Sequence, residues 1–113
     1  MAVPRPGKRV RGSRTGRPIM ALLDLLGRRW TLRILWELRE ETPTFRDLRD
    51  RCDAMSPSVL NQRLTELREA GVVVLREEGG YVLTREGRGL LLALAPLHKW
   101  AKSWAARPRR TRV

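Results

Sequence analysis

The residue types that most often carry catalysis or hold metal ions are scarce in this chain of 113 residues. It has one cysteine, Cys52, and one histidine, His98, whereas a structural zinc site needs about four ligands. The sequence shows no serine–histidine–aspartate set, phosphate-binding loop or glycine-rich dinucleotide motif. We therefore expect no enzyme activity, no metal site and no cofactor. Cys52 is expected to be structural, since no second cysteine or histidine lies nearby in sequence to activate it.

The chemistry that the sequence does offer is hydrogen bonding from the face of one helix. Over residues 56–70, Leu60, Leu64 and Leu67 recur at helical spacing and predict a buried stripe. The other side carries short hydroxyl and amide side chains, which are Ser58, Asn61, Gln62 and Thr65. Such groups can pair with base edges in the DNA major groove, asparagine or glutamine with adenine being the favoured geometry. For this helix taken alone, an ordinary solvated face remains the alternative.

Seven elements are predicted to position this helix. Helices are expected over 19–26, 28–41, 45–52, 57–70 and 85–105, and short strands over 72–75 and 81–83. Pro18 opens the first helix, and Pro96 is expected to kink the last one. Gly27 and Gly71 are expected to end helices as C′ residues.

The predicted starts of the later helices are marked by capping residues. Thr44 and Asp47 have the spacing of a capping box, Ser56 is placed as the N-cap ahead of Pro57, and Thr84 is placed to cap the last helix. Two helices joined by a tight turn and followed by a hairpin form a winged helix-turn-helix, a mainly α fold with a small β-hairpin wing. In that arrangement the second helix enters the major groove.

Phosphate contacts are expected around this reading helix and on the wing. The wing is predicted to be short, with only 76–80 between its strands, and its tip carries Glu77 and Glu78, which phosphates would repel. The candidate backbone-contacting residues are Arg46, Arg49, Ser56, Arg63, Arg68, Arg76 and Arg85.

The net charge of +12 is unevenly distributed along the chain. Lys and Arg number 24 and Asp and Glu 12, and most of the excess lies in residues 1–17 and 107–113, which are predicted to be basic flexible tails. Residues 18–106, nearly balanced in charge, are predicted to form the winged helix-turn-helix domain. The tails either contact polyanions or only solubilise the chain. Since no apolar run reaches the roughly 20 residues of a membrane span, we expect a cytoplasmic protein, associated with the nucleoid when bound to DNA.

The first and last helices carry more apolar residues than one small core needs. We expect them to form a homodimer interface of helical elements at both ends of the domain. The candidate interface residues are Ile19, Leu22, Leu23, Leu90, Leu94, Leu97, Trp100, Ala101 and Trp104. The alternative is that the two helices cover each other within one subunit. An unidentified small-molecule effector could lodge between them, where Trp30, Trp100 and Trp104 are expected to gather.

Residues 18–104 resemble the HxlR branch of bacterial winged-helix regulators, relatives of the MarR type. The matching segments are residues 25–32 (LLGRRWTL), 45–48 (FRDL), 55–64 (MSPSVLNQRL), 71–73 (GVV) and 81–84 (YVLT). The resemblance implies dimerisation through the terminal helices. It departs in one respect that bears on regulation, because Arg17 stands where redox-sensing members have a cysteine ahead of the first helix.

Together these observations predict a sequence-specific DNA-binding transcriptional regulator, with repression favoured, acting as a homodimer on a two-fold symmetric operator. Two other functions stay open at this point. One is a winged-helix module that docks a protein partner. The other is a sequence-nonspecific nucleic-acid-binding protein driven by its basic tails.

Overall fold

A computed structural model of the protein describes residues 17–108 and shows five helices and a two-stranded hairpin in that range. The elements are α1 (Pro18–Leu26), α2 (Thr31–Glu37), α3 (Phe45–Arg51), α4 (Pro57–Glu69), β1 (Val73–Leu75), β2 (Tyr81–Leu83) and α5 (Arg85–Ala106). This order confirms the predicted winged helix-turn-helix. Apart from Arg17, Arg107 and Pro108, the two predicted tails lie outside the described residues.

The prediction of one helix over 28–41 is wrong at both ends, because α2 spans only Thr31–Glu37. Trp30 precedes it with φ 77°, a left-handed conformation that is rare for a large side chain and breaks the helical path. The Gly27 prediction is also corrected. Gly27 is the C-cap of α1 in a right-handed conformation with φ −77°, whereas Gly71, at φ 80°, has the positive φ of a C′ glycine.

α3 and α4 form the helix-turn-helix pair. The predicted capping box is present, since the backbone N–H of Asp47 donates to the Thr44 hydroxyl and the backbone N–H of Thr44 donates to the Asp47 carboxylate, both at 3.1 Å. Ser56 occupies the N-cap position of α4, but its side chain makes no cap hydrogen bond. Its hydroxyl lies instead 3.0 Å from that of Ser58.

The wing pairs β1 with β2 in antiparallel register, with Val74 opposite Val82. Beyond it, the Thr84 hydroxyl accepts a hydrogen bond from the backbone N–H of Gly87 and donates to the carbonyl of Gly71, so the predicted cap of α5 also ties α5 to the end of α4. Pro96 lies inside α5.

The core is built from the inward residues of the first four helices and the wing. Ile34, Leu48, Leu60 and Leu67 are each fully buried. α1 packs against α2, and α5 packs against β2.

Candidate nucleic-acid interface

The exposed face of α4 is polar and uncharged from Ser58 to Thr65, and the charged Arg68 and Glu69 follow near its end. Leu60, Leu64 and Leu67 anchor the helix at 0%, 1% and 0% exposure. The four residues predicted to read bases, Ser58, Asn61, Gln62 and Thr65, are all exposed. Because the anchoring stripe is rigidly packed, the short side chains on the open side are presented from a fixed backbone, as base recognition requires.

The N-terminus of α4 is set by the turn that precedes it. Asp53 and Ala54 both have positive φ, at 58° and 54°. The Arg49 guanidinium closes this turn, since its Nε donates a 3.1 Å hydrogen bond to the carbonyl of Met55. The first N–H groups of a helix attract anions, so the start of α4 near Ser56 suits a phosphate contact.

The other predicted phosphate contacts fall into two groups. Arg46 on α3, Arg68 on α4 and Arg85 at the start of α5 are exposed. Arg76 is also exposed, but its Nε lies 2.6 Å from the Glu78 carboxylate at the wing tip. Arg63 differs from all of these. It is only partly exposed, and its guanidinium donates to Glu66 at 2.7 Å and to the carbonyl of Arg29 at 2.9 Å. Its position joins it to the interior and not to the exposed polar face.

The charged cluster around Glu66 was not predicted from the sequence. Glu66 is 4% exposed, and its two carboxylate oxygens face Arg28 at 2.8 Å and Arg63 at 2.7 Å. Arg28 also pairs with Asp24 of α1 at 3.2 Å. The available signal was Val59, which lies on the same flank of α4 as Arg63 and Glu66 and indicates that this flank is covered.

Cys52 lies at the end of α3 with 0% exposure, and burial raises the pKa of its thiol. A buried, protonated thiol is a poor nucleophile.

On the surface of α3, the hydrogen bond from the backbone N–H of Thr44 lowers the pKa of the Asp47 carboxyl. Within residues 17–108 no group of His, Cys, Asp and Glu is arranged to hold a metal ion, and no helix there is long and apolar enough to cross a membrane.

The terminal helices present apolar side chains to solvent. Ile19 and Leu23 of α1 are 54% and 52% exposed, and Leu97, Trp100 and Trp104 of α5 are 58%, 60% and 62% exposed. The other predicted interface residues are less uniform. Leu22, Leu90 and Leu94 are half-buried against the core, and Ala101 is exposed.

An apolar groove of about 750 Å³ lies between α2 and α5. Leu32, Leu94 and Leu97 line it, Arg39 and His98 also border it, and the indole of Trp36 stacks on His98 with ring centroids 5.0 Å apart. The predicted gathering of Trp30, Trp100 and Trp104 between the first and last helices is wrong. Trp100 and Trp104 stack on each other along α5, while Trp30 packs against the core beneath the Arg29 guanidinium.

The fold and the exposed polar helix define a protein of the winged helix-turn-helix class. The chain belongs to the HxlR-like helix-turn-helix family, whose model matches residues 25–109. It is 33% identical over 88 residues to the HTH-type transcriptional regulator YvaP of Bacillus subtilis. The aligned region covers 73% of this chain and 82% of YvaP.

Solved structures show the same relationship. The quinone-bound YodB of Bacillus subtilis is similar with a TM-score of 0.70 and 26% identity, covering 75% of this chain and 96% of YodB. A transcriptional regulator of the MarR family from Enterococcus faecalis V583 is similar with a TM-score of 0.71 and 27% identity, covering 87% and 94% of the two chains. The protein is thus a transcriptional regulator of HxlR/MarR type with a helix-turn-helix DNA-binding fold, and its family and relatives are not enzymes.

Proposed function

We propose that this regulator binds a two-fold symmetric DNA operator as a homodimer and represses transcription there. The observation that carries the proposal is the exposed face of α4, where Ser58, Asn61, Gln62 and Thr65 stand opposite a fully buried leucine stripe. Hydroxyl and amide groups at these positions suit base edges in the major groove. A protein that occupies a promoter can repress by occupancy alone, so repression requires no interaction surface beyond the one that binds DNA.

Phosphate contacts would surround the reading face. Arg46 precedes it on α3, Ser56 lies at the start of α4, and Arg68 lies near its end, all of them exposed. Arg76 and Arg85 would contribute from the wing and from the start of α5. We leave two of the predicted residues out of this set. The Arg63 guanidinium is bonded to Glu66 and to the Arg29 carbonyl, and the Arg49 guanidinium is bonded to the carbonyl of Met55.

The homodimer is supported by the apolar faces of the terminal helices. Side chains as large as Leu97, Trp100 and Trp104 are more than half exposed on one helix, and exposed apolar surface of this kind is typical of a protein–protein interface. Two copies related by a two-fold axis would present two α4 helices to successive major grooves, as a symmetric operator requires.

An effector of this protein would bind non-covalently, because no reactive cysteine lies ahead of α1, where redox-sensing relatives have one. Arg17 stands ahead of α1, and Cys52 is buried. The groove of about 750 Å³ between α2 and α5 has room for a small molecule. We place the protein in the cytoplasm, on the nucleoid when it is bound to DNA.

The function is tested by recovering bound fragments from a pool of random duplex DNA at physiological salt. An enriched motif with two-fold symmetry is the expected result. A protein-docking module would enrich no motif, and a sequence-nonspecific binder would retain DNA without preference, so either outcome would contradict the proposal.

A further inference from the structure

A continuous chain of ion pairs links the proposed dimerisation helix to the reading helix. Asp24 of α1 pairs with Arg28 at 3.2 Å, Arg28 pairs with Glu66 of α4 at 2.8 Å, and Glu66 pairs with Arg63 at 2.7 Å. The side chains of Asp24, Arg28 and Glu66 are only 13%, 8% and 5% exposed. These pairs are thus shielded from the water and salt that weaken ion pairs at the surface.

The geometry fixes α4 in two directions. One carboxylate oxygen of Glu66 faces Arg28, which lies outside α4, and the other faces Arg63, which lies on α4 itself. Arg63 in turn donates a 2.9 Å hydrogen bond to the carbonyl of Arg29. If α4 slid or rotated against the α1–α2 turn, both the Arg28 pair and the Arg29 bond would break. Buried charges are costly to separate because each is left without compensation.

An apolar contact at this position would hold the helices together without fixing their register, since apolar packing is not directional. Buried ion pairs act differently, because separating their charges is costly. They hold one arrangement and penalise its neighbours, a role that buried polar groups fill in some coiled coils.

We propose that Glu66 is a positioning residue that locks each reading helix to its own α1 through Arg28 and so sets the spacing between the two α4 helices of the dimer. This inference rests on the proposed function. It concerns how strictly the dimer selects the distance between the two half-sites of the operator. Half-sites lie about one helical turn apart, and inserting one base pair shifts a half-site by about 3.4 Å along the axis. A locked dimer cannot follow that shift, whereas a loosened one can.

The test compares the selected operator with versions in which one base pair is inserted or deleted between the half-sites. For the wild type, we expect native spacing to be preferred by about 100-fold, which is comparable to the cost of one or two mismatched base pairs. Arg28→Gln should reduce that preference by about tenfold. Arg51→Gln is the matched control, because it removes the same charge from an exposed pair with Glu41 and should leave the preference unchanged.

Thermal unfolding of each variant separates positioning from stability. A purely structural Arg28 would lower the melting temperature and weaken binding at every spacing by the same factor. If Arg28→Gln fails to fold, Asp24→Asn loosens the outer, more exposed pair and should relax the preference in the same direction. If the folded variant has the same spacing preference as the wild type, the inference is overturned, whereas the proposed binding to an operator still stands. Failure to select any operator would contradict the proposed function itself.

Discussion

The backbone N–H of Tyr81 donates a 2.8 Å hydrogen bond to the carbonyl oxygen of Pro43, which joins the first residue of β2 to the segment leading into α3. Gly80 lies at the same junction with φ 91°, and a Cβ there would stand 2.7 Å from Cγ2 of Thr42 and 2.9 Å from its carbonyl oxygen. The wing is therefore attached at its root to the helix-turn-helix, and its position relative to α4 is set by the core.

Gly80→Ala should destabilise the protein more than Gly79→Ala. Both glycines have positive φ, so both substitutions introduce backbone strain of about 1–3 kcal/mol. Only at Gly80 does the added methyl group also collide with Thr42, whereas nothing lies within 4 Å at Gly79. The steric excess should be about 1–3 kcal/mol in urea unfolding. Equal effects of the two substitutions would show that the wing root is not closely packed.

A second glycine pair tests how α5 is docked. A Cβ on Gly87 would overlap the carbonyl oxygen of Val72, while a Cβ on Gly89, in the same helix, would meet nothing within 4 Å. We expect Gly87→Ala to lower the free energy of unfolding by about 1–3 kcal/mol. Gly89→Ala should raise it by about 0.4–1 kcal/mol, because alanine favours the helix. The two substitutions should therefore have opposite signs, and a stabilising Gly87→Ala would contradict the observed docking.

The parts of the fold that could be predicted from the sequence depend on local patterns. The leucine stripe of α4, the Thr44–Asp47 capping box and the short wing follow from periodicity, capping spacing and turn glycines. The length of α2 could not be predicted, because Trp30 fits the apolar period and yet adopts positive φ. The ion pair between Glu66 and Arg28 could not be predicted either, since Arg28 lies in a distant part of the chain.

Leu97→Glu should convert the proposed dimer to a folded monomer. Leu97 is 58% exposed in the subunit, so a carboxylate there costs the monomer little but would be desolvated in the interface. Sedimentation should show a monomer with weakened operator binding. Val74→Glu makes the same change at an exposed position on the wing and should leave assembly intact. A wild-type chain that stays monomeric at high micromolar concentration would contradict the homodimer.

Cys52 should be protected from alkylation in the native protein. Burial raises the pKa of its thiol, so the neutral form prevails at pH 7, and the side chain is 0% exposed. The pKa of the Cys52 thiol is higher in the folded than in the unfolded protein. The contribution of the neutral thiol to the free energy of unfolding is therefore complete below the unfolded pKa and is lost as pH rises through the folded pKa. Iodoacetamide labelling followed by mass spectrometry should be slow in buffer and fast in urea. Labelling at equal rates in the two would contradict the buried position.

If the exposed face of α4 reads DNA sequence, substitutions on it should change the ratio of operator affinity to random-DNA affinity. Gln62 is neutral and exposed, so Gln62→Ala should weaken operator binding by about 1–3 kcal/mol if it removes a bidentate base contact. Affinity for random DNA, which is dominated by counterion release, should stay nearly constant. Arg46→Gln is the contrasting control, since losing a phosphate contact should weaken both and flatten the salt dependence by about 0.9 in slope. We expect this ratio to fall for Gln62→Ala and to hold for Arg46→Gln. An unchanged ratio for Gln62→Ala would show that this face of α4 does not read DNA sequence.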